Sequence, residues 1–119
     1  MILTELEVRN YLYNSGFRGG DLNGAVAICF CESSFDTEAH NTSGEDSRGL
    51  MQINIDANPQ YSHLNLFDPQ INTDVAFEMY SQYGFQPWTC KYVLNPSPGG
   101  ISLAGALVLG LGFFVYLNS

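Results

Sequence analysis

Positive charge is what this sequence has least of. Its 119 residues hold four Lys and Arg against twelve Asp and Glu, for a net charge of −8. Four scattered cations make no electrostatic footprint for a phosphate backbone, which excludes nucleic acid as a partner. Attraction to an anionic polymer is excluded on the same ground, so a polymeric ligand would have to be held by a shaped groove. No segment repeats at a period of 20 to 50 residues, which excludes a solenoid. Histidine and cysteine are few, at two and three residues. Cys29, Cys31 and Cys90 with His40 and His63 are the soft and imidazole groups available to zinc. On one helix, however, Cys29 and Cys31 would project roughly 200° apart and could not both chelate one ion. No metal and no cofactor is expected. The odd cysteine count leaves the redox compartment open. Met1-Ile2-Leu3-Thr4-Glu5 lacks a basic region followed by an apolar run, so no secretory signal is expected. The length suits one small domain with a modest core.

What is present is mostly helical punctuation. Thr4 and Glu7 form a capping-box pattern, with Leu3 and Val8 at the staple positions, and predict a helix over Thr4 to Asn14 closed by Gly16. Gly19-Gly20-Asp21 reads as a turn, with Asp21 as N-cap of a second helix from Leu22 to about Ser33. Leu22, Val26, Cys29 and Ser33 lie on one stripe of that helix, and Glu32 sits beside it. Residues 36–48 have the composition of a loop, and Leu50 to Asn54 reads as a short strand or extended edge. Ile55 to Leu66 reads as loop with one helical turn. Asp68-Pro69 is a strong helix start, and Ile71, Val75, Met79 and Tyr83 then recur every four residues up to Gly84. Tyr80 and Tyr83 are assigned to the core face of that helix.

All charged side chains precede residue 92. Asn95 to Gly100 is a Pro/Gly linker. Ile101 to Leu117 is an uncharged apolar run of about 25 Å if helical, the short end of a membrane crossing. A buried core helix is the competing reading, but the run is apolar all round, which favours the membrane. Orientation is left open because Lys91 is the only cation near the run.

Glu32 is the one carboxylate that follows a charge-free helical stretch, Ala25 to Cys31. Desolvation there raises a carboxyl pKa and suits a general acid. Glu32-Ser33, Phe35, Ala39, Asn41 and the run Ser47-Arg48-Gly49-Leu50-Met51-Gln52-Ile53-Asn54 resemble the lysozyme-like lytic transglycosylases. The likeness is greatest to peptidoglycan-cleaving domains of phage virion proteins. It continues through Leu66-Phe67-Asp68-Pro69, Asn72, Ala76 and Gly84-Phe85-Gln86-Pro87-Trp88. The combination is specific for the superfamily and not for one reaction within it.

The resemblance implies a mainly helical lysozyme-like domain with minimal β over residues 1–94, while the linker over 95–100 and the membrane anchor over 101–117 are read from composition. It implies cleavage between N-acetylmuramic acid and N-acetylglucosamine, with Glu32 as acid and then as base toward the muramic 6-hydroxyl. Animal lysozymes of the superfamily carry an Asp where Ser47 stands. That departure favours a single-acid transglycosylase over a retaining hydrolase. Glu45 and Asp46 could hold a water for inverting hydrolysis, though a solvated acidic loop is the plainer reading of both.

Ser47, Met51, Gln52, Asn54 and Trp88 are the expected substrate-binding residues, although for Met51 taken alone core packing is the favoured role. By analogy with lysozyme, Trp88 could press on the acid. The same resemblance sets Trp88 and its neighbours behind the Glu32 helix, from which a Cys29–Cys90 disulfide is expected, with three free thiols an equal alternative and the choice between Cys29 and Cys31 as the partner of Cys90 left open. A virion enzyme of a membrane-containing phage, among other virion proteins, would account for a lytic domain with a tail anchor. From another class, a non-catalytic glycan-binding or structural membrane protein would keep the fold and lack the activity.

Overall fold

The computed structural model describes residues 1–94. The linker expected over 95–100 and the anchor expected over 101–117 lie outside the described residues. Among the described residues no helix is long and apolar enough to cross a membrane.

Among the described residues, three α-helices and a small sheet make the architecture. Helix α1, Glu5–Ser15, begins on the expected capping box. Thr4 Oγ1 accepts from the Glu7 N–H at 3.1 Å, and Glu7 Oε1 accepts from the Thr4 N–H at 2.9 Å. Leu3 and Val8 are both buried, as the staple requires. Gly16 ends the helix with φ +133, and a Cβ there would meet the Phe77 ring at 2.6 Å.

Helix α2, Gly19–Ser33, starts earlier than the sequence suggests. Its N-cap is Arg18, with extended backbone and no side-chain cap. Asp21 therefore falls inside the first turn, where a carboxylate favours the helix dipole. There it accepts a hydrogen bond from the Tyr80 hydroxyl. The stripe expected on this helix does face inward: Val26, Cys29 and Ser33 are buried and Leu22 packs against the core.

The stretch 36–48, expected to be loop, contains two short strands. β1 (His40–Asn41), β2 (Ser47–Arg48) and β3 (Ile53–Asn54) form an antiparallel sheet in that order. Its register pairs His40 with Arg48 and Asn41 with Ser47, then Ser47 with Asn54 and Arg48 with Ile53. Strands of two residues carry no readable period, which is why composition alone suggests loop. Leu50 to Gln52 form the turn between β2 and β3. A 3₁₀ turn over Pro59–Tyr61 supplies the single helical turn expected in the next loop.

Helix α3, Pro69–Tyr83, starts as read: Asp68 Oδ1 accepts from the N–H groups of Gln70 and Ile71 at 3.0 Å each, and Gly84 closes it. Tyr83 departs from expectation and is 61% exposed. A strict four-residue repeat drifts about 40° per step on a helix of 3.6 residues per turn, so its last member leaves the core face. Tyr80 is partly buried among Phe17, Phe77 and Phe85. α1 packs on α3 and on α2, and a 3₁₀ segment over Thr89–Leu94 lies along α2. Phe17, Leu12, Ile28, Leu50 and Ile53 fill the space between the helices and the sheet.

Candidate active site

Where the end of α2 meets the sheet, an open cleft is lined by Glu32, Glu45, Ser47, Gln52, Asn54, Pro87, Trp88 and Thr89. Three separate stretches of chain thus supply its walls. Glu32 stands in the last turn of α2 and is half-buried. The helix is stopped by two consecutive non-glycine residues with positive φ, Ser34 at 54° and Phe35 at 65°. Backbone of this kind, especially at a bulky Phe, persists only where its surroundings over-determine it. Here the Phe35 carbonyl accepts from the Leu3 N–H, and its ring lies against Phe30.

One oxygen of Glu32 is tied to the protein. Oε2 accepts from the Cys90 N–H at 3.1 Å and from Thr89 Oγ1 at 3.3 Å. Among the described residues Oε1 takes no hydrogen bond, so it is the oxygen left to exchange a proton with a ligand. Desolvation by the surrounding protein raises the Glu32 pKa most. The Cys90 and Thr89 hydrogen bonds pull it back, and the negative charge of Glu45 raises it again. The net result lies above the ordinary carboxylate value.

Glu45 is drawn into the cleft and is not the freely solvated loop side chain that its neighbours suggest. The buried Ser47 hydroxyl donates to its Oε2 at 2.6 Å, and Asn41 Nδ2 donates to the same atom at 3.2 Å. Ser47 thus acts on the cleft through Glu45. Asp46, beside it in sequence, takes no part in the cleft wall. Arg48 grips both its oxygens, at 2.9 and 2.8 Å, and His40 reaches Oδ1 at 2.8 Å. These partners hold its carboxyl down at about 2.

Gln52 and Asn54 reach the cleft from the sheet. Gln52 sits at φ +49, and its Nε2 donates to the carbonyls of Ala39 and Gly49 at 3.0 Å each. Met51 does not reach the cleft: its side chain is fully buried in the core, which corrects its placement among substrate contacts. The strong turn at 50–52 points Met51 inward while Gln52 faces out. Its backbone still matters, because its carbonyl accepts from Trp88 Nε1 at 2.8 Å and its N–H donates to Asn72 Oδ1 at 2.8 Å. Trp88 is 3% exposed and is anchored by that bond, with an edge on the cleft.

The disulfide joins Cys31 to Cys90, not Cys29 to Cys90. The 89–94 segment does pack on α2, but against the face that Cys31 presents. Cys29 points the other way into the core, where its thiol donates to the Leu50 carbonyl at 3.4 Å and burial pushes its pKa up to about 12. Thr89 was missed in the sequence, and Pro87 was noted only as part of the Gly84-Phe85-Gln86-Pro87-Trp88 motif and not as a cleft residue. The one available signal for Thr89 was its place between Trp88 and Cys90. Among the described residues no three His, Cys, Asp or Glu side chains converge as metal ligands.

A cleft with a half-desolvated carboxyl, a second carboxylate facing it and amide side chains along one wall suits acid-assisted cleavage of a glycosidic bond. No curated protein matches the chain. The family model described as "Lysozyme like domain" does match, over residues 9–90, a span that holds every cleft residue. The chain belongs to the lysozyme-like domain family, whose fold and peptidoglycan substrate its helices, small sheet and acidic cleft fit.

Proposed function

We propose that the protein is a lytic transglycosylase that cuts the bond between N-acetylmuramic acid and N-acetylglucosamine, with Glu32 as both acid and base. The observation that carries this reading is the asymmetry of Glu32: among the described residues Oε2 is held by Cys90 and Thr89 while Oε1 takes no donor. A protonated Oε1 gives its proton to the bridging oxygen as the bond to the muramic C1 breaks. The resulting carboxylate then takes the proton of the muramic 6-hydroxyl, whose oxygen closes on C1 as a 1,6-anhydro ring. No water enters the products. Gln52 and Asn54 would bind the sugars from the sheet side, and Trp88 with Pro87 from the other. Ser47 supports the wall through Glu45.

One observation favours a second reading. Glu45 lines the same cleft and its charge is felt at Glu32. If it orients a water on the opposite face of the sugar, the enzyme is an inverting hydrolase. Mass analysis of muropeptides released from purified peptidoglycan separates the two. Anhydromuramic ends, with most activity kept in Glu45→Gln, support the transglycosylase. Reducing ends, with activity lost in Glu45→Gln, assign the hydrolase. A wall bound and left intact assigns a binding module and refutes both.

The same proposal includes the setting. The uncharged stretch 101–117 serves as a membrane anchor behind the linker 95–100, and the enzyme acts from the membrane of a virion, beside other virion proteins. Support for this part is the sequence of the tail alone.

A further inference from the structure

Covalent and hydrogen bonds converge on the acid from one residue. Cys31, immediately before Glu32, is disulfide-bonded to Cys90 across 59 residues of sequence, with their Cα atoms 6.1 Å apart. The N–H of that same Cys90 donates to Glu32 Oε2. Crosslink and hydrogen bond therefore close one small ring through Cys31, Glu32 and Cys90. The rest of the segment is held by packing, with Val93 and Leu94 partly buried against the core. Thr89 and Tyr92 are exposed, and the segment that carries them is 3₁₀, a conformation with poor hydrogen-bond geometry. Upstream, Trp88 is pinned to the Met51 carbonyl, so the corner is fixed at one end by the indole and at the other by the disulfide.

We infer that the Cys31–Cys90 disulfide positions the catalytic acid: it keeps the Cys90 N–H on Glu32 Oε2 and so leaves Oε1 as the oxygen that serves the substrate. This rests on the glycosidase reading of Glu32. Positioning matters steeply in such chemistry, since a displacement of about 1 Å can cost about 10²-fold in rate. The enzyme is then competent in its oxidised form and impaired once a dithiol acts on it. Dithiothreitol passes two electrons and two protons to Cys31 and Cys90, which become thiols, while the reagent closes to its own cyclic disulfide.

The test uses the full chain labelled with ¹⁵N, as oxidised wild type, as wild type reduced with dithiothreitol, and as Cys31→Ala. All are compared at a temperature where far-UV circular dichroism shows each folded. In the oxidised protein the Cys90 amide resonance should titrate with the Glu32 carboxyl. After reduction, and in Cys31→Ala, that coupling should vanish and kcat should fall about 10-fold or more while KM stays within about 2-fold. Dithiothreitol should not slow Cys31→Ala further. With the crosslink intact, Thr89→Val should move the alkaline limb of the pH–rate profile upward, because a hydrogen bond to the carboxylate is lost, and Thr89→Ser should restore it. A reduced, folded chain that keeps both the coupled titration and its kcat overturns the inference. So does a Cys31→Ala chain that folds at no temperature, since the disulfide then serves stability alone. A wild type that shows the coupled titration but leaves peptidoglycan uncut refutes the glycosidase reading, not the clamp.

Discussion

Asn72 offers the sharpest test of how the cleft is held. It is fully buried on α3, and all its hydrogen-bonding side-chain atoms are engaged. Nδ2 donates to the carbonyls of Arg48 at 2.9 Å and Leu66 at 2.8 Å, and Oδ1 accepts from the Met51 N–H at 2.8 Å. One amide thus ties the turn between β2 and β3 to the loop before α3. Replacing it by Leu keeps the volume and removes all three bonds. Each buried group left unpaired costs about 1–3 kcal/mol, the Met51 donor most surely, because a carbonyl retains a second lone pair. We expect Asn72→Leu to lose about 3–5 kcal/mol in all. Asn72→Ala should lose about 1–2 kcal/mol less, because the vacated space admits a water that re-pairs the exposed groups. For a domain of this size, each kcal/mol lowers Tm by about 4–8 °C, so the Leu variant should melt at least about 12 °C below wild type. Urea denaturation gives the two free energies, and hydrogen exchange at the Met51 amide reports the lost bond directly. If Asn72 were merely filling volume, Leu would be the milder change. A Leu variant as stable as the Ala variant refutes the reasoning.

Glu32→Gln should lower wall cleavage by about 10²-fold or more, read by muropeptide release, while binding persists. The same change should stabilise the fold at neutral pH. The folded protein holds the Glu32 proton more tightly than the unfolded chain, so that contribution is full below the unfolded pKa of about 4.3 and lost as pH rises through the raised folded value. Asp46 titrates in the opposite sense: its carboxyl is held at about 2, so its stabilisation is present above an unfolded pKa of about 3.9 and lost as pH falls toward 2. Asp46→Asn should accordingly flatten the acid limb of the stability curve and spare activity, as acid titration and muropeptide release would show. In Gly49→Ala a Cβ would meet the Leu66 carbonyl oxygen at 2.1 Å, at φ +76, and expression as a folded protein should fail by circular dichroism. On the proposal that 101–117 is a membrane anchor, Arg at Leu109 should cost about 2.5–3.5 kcal/mol of insertion, measured by carbonate extraction.

The helices were readable where a terminus has its own chemistry. Thr4 with Glu7, and Asp68 with Pro69, each satisfy orphan N–H groups in a way that depends on neighbours in sequence. The start of α2 was misplaced because Arg18 caps it through backbone alone, leaving Asp21 as a decoy. Glu32 was legible from its charge-free approach. Glu45 was not, since nothing in a polar loop says which of two adjacent carboxylates meets Ser47 and which meets Arg48. The cysteine pairing turned on which side of α2 receives the 89–94 segment. That is a tertiary choice, to which the spacing of Cys29 and Cys31 is indifferent.

The seat of Trp88 also has an optical meaning. It is the one tryptophan in the chain, its indole N–H is bonded to the Met51 carbonyl, and it is shielded from bulk water at the edge of the cleft. Excitation at the red edge of the near-ultraviolet band, which passes over the seven tyrosines, therefore addresses a single emitter placed where sheet, helix and ligand space meet. Its emission colour reads the wetness of that junction, and a sugar ring laid against Pro87 would change it without any added label. The protein carries its own fluorescent gauge of cleft occupancy, and titration with glycan fragments can be followed on the unmodified chain.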